Sequence, residues 1–409
     1  MSTLMRVRSL LLSLTLTLLP GVLVTPLTAS VCPFCDAPTL MMAEQVEQSD
    51  HLLLGRWQKG QKPTDAAAGS STFEILEISK SLSDRFEPGA TLELPHYVAG
   101  SEQKNYLLMG PDGRLADWHI PQEVSDAAWT YLANIPTPVV DPAQQTERLA
   151  YFLDFLEHPD LIVSNDAYGE FASAPYEIIK PLRDRIPREK VRQWILDPAT
   201  SVTRIGLYGL LLGLAGTEED ARAMEHKILV PDASFRLGIE GVMAGYLMIR
   251  GEDGLQVLEE KKMIARTYTN PEGEEVRLPF AEVYAAMQTL RFMWTYEPDI
   301  IPKGRLKQSM RLLLERPELS DLVIADLARW KDWDSLDRLV AMYDEEKFNI
   351  PSVKRAIVRF LYYCSKDVDS TAGEDAALPE HAQKALAALK VLEEKDPKTV
   401  GDAKRYLIR

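Results

Sequence analysis

One stretch of this chain repeats itself, and that repeat limits the possible folds more than any other feature. Arg204, Gly206, Gly209 and Gly213 recur as Arg236, Gly238, Gly241 and Gly245, at a constant offset of 32. The positions between them are mostly apolar. A polar turn follows each copy, Gly216 to Asp220 and Gly251 to Asp253, and then a second segment that ends near Ile228 and Met263. Helix, acidic turn and helix at a period in the thirties is a unit that cannot bury its apolar face alone and must stack on its neighbours. The glycines fall inside predicted helices. They therefore suit close helix contact, since small residues let backbones approach, and not phosphate-cradling loops, which sit between strand and helix. Arg204 and Arg236 are placed to pair with carboxylates of adjacent units.

Weaker units flank this pair. Asp160 to Ala174 and Tyr176 to Arg183 read as an earlier one. Leu319 to Trp330, a turn at Lys331 and Asp332, and Asp334 to Tyr343 read as a later one. Arg291-Phe292 and Arg359-Phe360 sit in similar apolar contexts about two periods apart. Trp294, Trp330 and Trp333 are expected at the core and edge of the stack. Cys364 is expected to be a buried small apolar residue. Tyr268 to Pro279 is a polar insertion, 366–380 an acidic loop, and His381 to Glu394 a last helix before a short tail. The whole region, 145–409, resembles HEAT-type repeats, which implies an all-α solenoid.

Before residue 135 the period changes. Leu52 to Trp57, Thr72 to Ile78, Leu92 to Leu94 and Tyr106 to Met109 read as short strands, with Leu115 to Trp118 as a fifth. Turns at Pro88-Gly89 and at Gly110 to Gly113 separate them. Leu76 breaks the alternation of its strand. Val124 to Leu132 reads as a closing helix. The prolines at 136, 138 and 142 make 135–144 an extended linker. Strands at this spacing predict a small barrel or sandwich over 31–134. An early Cys and the strands at His51 to Arg56, Phe73 to Leu76 and Tyr106 to Gly110 make the module resemble the netrin-like, or tissue-inhibitor-of-metalloproteinase, OB-fold. That resemblance implies an OB-like β-barrel and leaves enzyme inhibition open as a role. The inhibitors of that family carry Cys-x-Cys at the mature N-terminus and this chain has Cys-x-x-Cys, so their metal-chelating mechanism does not carry over.

The first 30 residues are ordered like a secretory signal peptide: Arg6 and Arg8, an apolar run from Leu10 to about Val24, then Thr28, Ala29 and Ser30. The run is short for a spanning helix and contains Pro20 and Gly21. The expectation is a cleaved signal and an exported protein, periplasmic or extracellular, with no integral membrane span. The Cys-Pro-Phe-Cys start together with the helical rear half also resembles a group of exported bacterial proteins, a likeness that implies a compartment but no activity. Export places the three cysteines, Cys32, Cys35 and Cys364, where disulfides persist.

Cys32 and Cys35 form a C-x-x-C. A structural disulfide and a thiol–disulfide redox pair both fit it. A c-type haem site would need His where Asp36 stands, and no second Cys or His pair completes a zinc site. The net charge is −15, and becomes −17 without residues 1–30, which hold two arginines and no acids. Such a surface repels nucleic acid, so Trp57, Tyr97, Tyr106 and Trp118 are read as core and rim residues. His96 and His119 have no third partner for a metal. There is no G-x-S-x-G elbow, H-E-x-x-H, Walker loop or Rossmann fingerprint. The functional expectation is a non-enzymatic scaffold that holds a protein or peptide partner on its repeat surface, without cofactor. The redox pair Cys32/Cys35 and the barrel inhibitor are the alternatives.

Overall fold

The structure is a computed structural model that describes residues 32–35, 40–65, 68–230, 236–270, 272–368 and 378–405. The signal-peptide segment, 1–30, and most of the expected acidic loop, 369–377, lie outside the described residues. A short helix α1 (Met42–Gln48) leads into a five-stranded antiparallel sheet: β1 (His51–Gln61), β2 (Ser70–Ser81), β3 (Thr91–Leu94), β4 (Asn105–Gly110) and β5 (Gln122–Val124), in the order β3-β2-β1-β4-β5. The remainder is helical except for one hairpin.

Alternation on β1 and β4 builds two cores. Leu52, Leu54, Leu107 and Met109 face the helices. Leu53, Tyr106 and Leu108 face away and join Phe73, Ile75, Leu92, Leu94 and Trp118 in a smaller second core. Leu76 breaks the sequence alternation because it is the extra residue of a β-bulge. Leu54 pairs with Glu77 and Gly55 with Ile75, which leaves Leu76 between them. Leu76 faces the helical core, opposite Ile75, and the bulge returns Ile78 to the outer one.

The expected barrel is not closed. β3 and β5 stand at opposite edges of an open sheet. Its Leu52/Leu54 face is covered by Met42 and Val46 of α1 and by Ala128, Trp129 and Leu132 of the next helix, so no closing strands are needed to bury it. Leu115–Asp117 is a turn of 3-10 helix, and the fifth strand lies later, at Gln122–Val124.

The helices follow as α2 (Asp126–Ala133), α3 (Pro142–Phe152), α4 (Leu161–Ser173), α5 (Tyr176–Ile179), α6 (Arg188–Leu196), α7 (Ile205–Ala215), α8 (Glu218–Leu229) and α9 (Ile239–Leu258). A π-helical turn, Glu259–Ile264, and the hairpin β6 (Thr267–Thr269) and β7 (Glu275–Arg277) come next. Then follow α10 (Phe280–Tyr296), α11 (Lys303–Leu312), α12 (Ser320–Arg329), α13 (Leu336–Met342), α14 (Pro351–Lys366), α15 (Glu380–Lys395) and α16 (Pro397–Arg405). The expected C-terminal tail thus includes a helix. Local signals set several helix starts. Ser125, Asp141 and Asp160 each accept backbone N–H groups at the first turn of α2, α3 and α4, and Pro142 opens α3. Gly251, at φ +56°, kinks α9 where a turn was expected.

The glycine repeat is the seam between α7 and α9. A Cβ on Gly209 would stand 2.4 Å from the Val242 nitrogen, and one on Gly245 would stand 2.0 Å from the Gly209 oxygen. Gly209 meets Gly241 and Gly213 meets Gly245, so the helices run parallel and the 32-residue offset is their packing register. Every residue of α7 from Ile205 to Leu214 is buried, which explains a helix that is apolar all round. Both repeat arginines form ion pairs, Arg204 with Glu157 at 2.9 Å and Arg236 with Glu282 at 2.6 Å. Among the described residues no helix is long and apolar enough to cross a membrane.

Candidate binding groove

α10, α12 and α14 lie side by side. The Trp294 ring stacks on Trp330 at 4.2 Å, and Arg291 reaches Asp326 at 2.7 Å, which joins α10 to α12. α12 and α14 end together. Lys331, in the left-handed region at φ +51°, donates to Asp367 at 2.6 Å, and Trp333 Nε1 donates to the same carboxylate at 2.6 Å. Partial burial alone would raise the Asp367 carboxyl, but these two hydrogen bonds outweigh it and hold the group below its ordinary value.

Between the two helices runs a groove of about 1220 Å³. Its α12 wall is the stripe Leu322, Ala325, Ala328 and Arg329. Its α14 wall is the stripe Arg355, Ala356, Arg359 and Tyr363. Steps of three and four residues put Leu322, Ala325 and Arg329 on one face of α12 and Arg355, Arg359 and Tyr363 on one face of α14, with Ala328 and Ala356 beside them. Buried Ile324 and Phe360 lie deep in the groove, while Leu322 and Tyr363 are 37% and 50% exposed. Lys331, Lys366 and Arg405 complete six cationic side chains, against the carboxylates of Asp321, Asp367 and Asp402. Asp367 is engaged by Lys331 at 2.6 Å, Asp326 of α12 pairs with Arg329 at 2.6 Å, and Asp402 lies 3.7 Å from Arg405. Arg355 and Lys366 have no carboxylate partner among the described residues. In a chain of net charge −15 this is a local reversal of sign. Arginine and tyrosine over an apolar floor are the residue types that anchor protein interfaces. Arg355, Arg359 and Tyr363 stand at helical spacing in the sequence, but nothing local marks that face as one wall of a groove.

Cys32 and Cys35 are joined in a disulfide, with Cα atoms 5.4 Å apart. The pair belongs to the helical body and not to the sheet. The Cys32 nitrogen donates to the Ala172 carbonyl at the end of α4. Phe34 packs on Phe292 of α10 at 4.9 Å between centroids, and its carbonyl lies over Gly206 at the start of α7. Cys32 is buried and Cys35 half-buried, so an incoming thiolate meets the second cysteine before the first. Cys364 is buried in α14 as expected, and burial pushes its thiol up to about 11.

Two further constellations come together only in space. Asp166 on α4 accepts the Met42 and Ala43 amides of α1 at 2.6 and 3.3 Å on one oxygen, and the Tyr131 hydroxyl of α2 at 2.8 Å on the other. Burial, aided by nearby Glu170, pushes its carboxyl up to about 6. Both oxygens are committed, so the group clamps α1 and α2 onto α4.

The second constellation involves His51, whose Nδ1 lies 3.0 Å from Ser81 Oγ and whose Nε2 lies 3.1 Å from Asp112 Oδ1. The hydrogen bond from His51 holds Asp112 below its ordinary value. The residue types are those of a nucleophilic triad, but the geometry is structural. The Ser81 hydroxyl donates to the Ser83 carbonyl at 2.7 Å. The His51 ring is wholly buried, stacked on Trp118 and edge-on to Phe86. A substrate carbonyl cannot reach both groups. His96 is also engaged, with its Nε2 3.0 Å from the Trp118 carbonyl. Among the described residues no three His, Cys, Asp or Glu side chains converge as a metal site. No family model, curated protein or solved structure matches the chain.

Proposed function

We propose that this chain is an exported, non-enzymatic binding protein whose helices stack as HEAT-type repeats and hold a peptide segment of a protein partner between α12 and α14. The observation that carries this reading is the groove itself: about 1220 Å³, above the roughly 300–1,000 Å³ of a small-molecule site, with exposed Leu322 and Tyr363 at its mouth. The parallel α7/α9 seam at the repeat offset supports the repeat architecture. The signal-like first 30 residues support export.

The test is affinity capture from the native envelope with the wild type and with Ala325→Trp, which fills the groove. The same partner should be recovered above an empty-resin control by the wild type, and at least tenfold less by the variant. Equal recovery by both would move the binding surface elsewhere. Recovery of nothing above control by either would end the binding reading.

A further inference from the structure

We infer that the groove between α12 and α14 takes an extended acidic segment, with carboxylates at alternate residues and apolar side chains between them. This rests on the binding reading above and adds the chemistry of the partner. Three observations support it: the sign of the charge, the spacing of the cations and the character of the floor.

The chain as a whole carries −15, so its field repels an acidic peptide everywhere except where cations are gathered. Arg355, Arg359 and Lys366 border one groove, beside Arg329, whose charge is shared with Asp326. A local cluster of one sign in a low-dielectric cleft concentrates the field there and raises the encounter rate with the opposite charge. Arginine adds geometry to charge, because its planar fork takes a carboxylate through two parallel hydrogen bonds.

Arg355 and Arg359 are one helical turn apart, about 6 Å along the axis at 1.5 Å per residue. Alternate residues of an extended chain are about 6.6 Å apart. Carboxylates at i and i+2 of such a chain therefore keep step with the arginines. The α14 stripe from Arg355 to Lys366 rises about 16 Å, the length of about five extended residues. The residues between the acids point the other way, toward Leu322, Ala325 and Ala328, where apolar side chains find an apolar wall. A nucleic acid would use the same cations, but its long phosphate backbone must also cross the acidic remainder of the surface.

The test uses the full chain and an octapeptide, too short to hold a helix in water. It carries glutamate at alternate positions with phenylalanine and leucine between them. The control peptide has glutamine for each glutamate. Fluorescence anisotropy at low and moderate salt should show binding of the glutamate peptide, at least tenfold weaker binding of the glutamine peptide, and loss of affinity as salt rises. The variant Arg355→Glu/Lys366→Glu changes two residues without carboxylate partners, so its melting temperature should match the wild type while affinity for the glutamate peptide falls more than tenfold. Ala325→Trp should weaken the same peptide by blocking the floor.

Equal binding of the two peptides would overturn the acidic assignment and leave the groove as a binding site. Failure of both peptides, with Ala325→Trp still losing the captured native partner, would overturn this inference alone. Unchanged binding by Arg355→Glu/Lys366→Glu would place the peptide elsewhere. Tighter binding of a single-stranded oligonucleotide or of anionic vesicles than of the glutamate peptide would replace the assignment.

Discussion

α7 and α9 touch backbone to backbone, whereas α12 and α14 pack through their side chains and leave a groove along one face. Both pairs bring two helices alongside one another. In the first, the facing stripe is glycine, and a single added carbon would stand 2.0 Å from a carbonyl oxygen. In the second, the stripe is alanine interleaved with leucine, arginine and tyrosine, and about 1220 Å³ opens between the walls. The size of the residues along one helix face therefore decides whether a junction is sealed or left open for a partner. The sealed junction is rigid and tolerates nothing. The open one tolerates change and offers contact.

Gly245→Val attacks the sealed junction and should have the largest effect. The new side chain has only backbone to displace, so a loss above about 4 kcal/mol is expected, beyond ordinary overpacking. Thermal unfolding followed by circular dichroism checks it, and a near-native melting curve would break the contrast. The clamp at Asp166 lies between the extremes. Its carboxyl sits at about 6 in the folded chain and near 3.9 when unfolded. The folded state therefore holds the proton over that window, and this group's contribution to stability falls as pH rises from 4 to 6. Asp166→Asn removes the slope. The stability difference between wild type and variant should change by roughly 3 kcal/mol across the window, read from urea unfolding at each pH. A flat difference would refute the burial of that charge.

Cys32→Ser/Cys35→Ser opens a four-residue loop and should cost about 2 kcal/mol by chain entropy, measured by urea unfolding of oxidised wild type against the variant. Ala325→Val in the groove should stay within about 0.5 kcal/mol. A large loss there would show the open junction to be as tightly packed as the sealed one.

These junctions also differed in how far the sequence revealed them. The glycine offset was legible because backbone contact demands glycine at each touching position, which leaves a strict periodic mark. The strands at Leu52 and Tyr106 were legible as short apolar runs bounded by turn residues and the one at Thr72 from alternation, and even the break at Leu76 encoded a bulge. The open sheet was not legible, because closure depends on what covers Leu52 and Leu54, and the covering residues come from α1 and α2. Leu115 to Trp118 carried strand-like residues but formed a 3-10 turn beside Trp118, whose indole donates to the Pro111 carbonyl at 3.1 Å. The groove was hidden for a different reason. Arg355, Arg359 and Tyr363 look like any solvated helix face until α12 is seen beside them. Asp166 and His51 found their partners across separations that no local pattern encodes.

The seat of Phe34 sets an order of assembly. This ring is near the start of the described chain, yet its socket is Phe292 and Gly206, the former more than half the chain away. A ribosome delivers Phe34 long before Phe292 exists. An early segment is thus among the later ones to find its full set of contacts, so completion of the fold waits for α10. Contacts this distant in sequence slow folding, and the unfilled socket leaves an aromatic surface exposed in the meantime. A chain cut short before α10 would keep that start loose, which would make its N-terminal segment a readout of whether synthesis ran to the end.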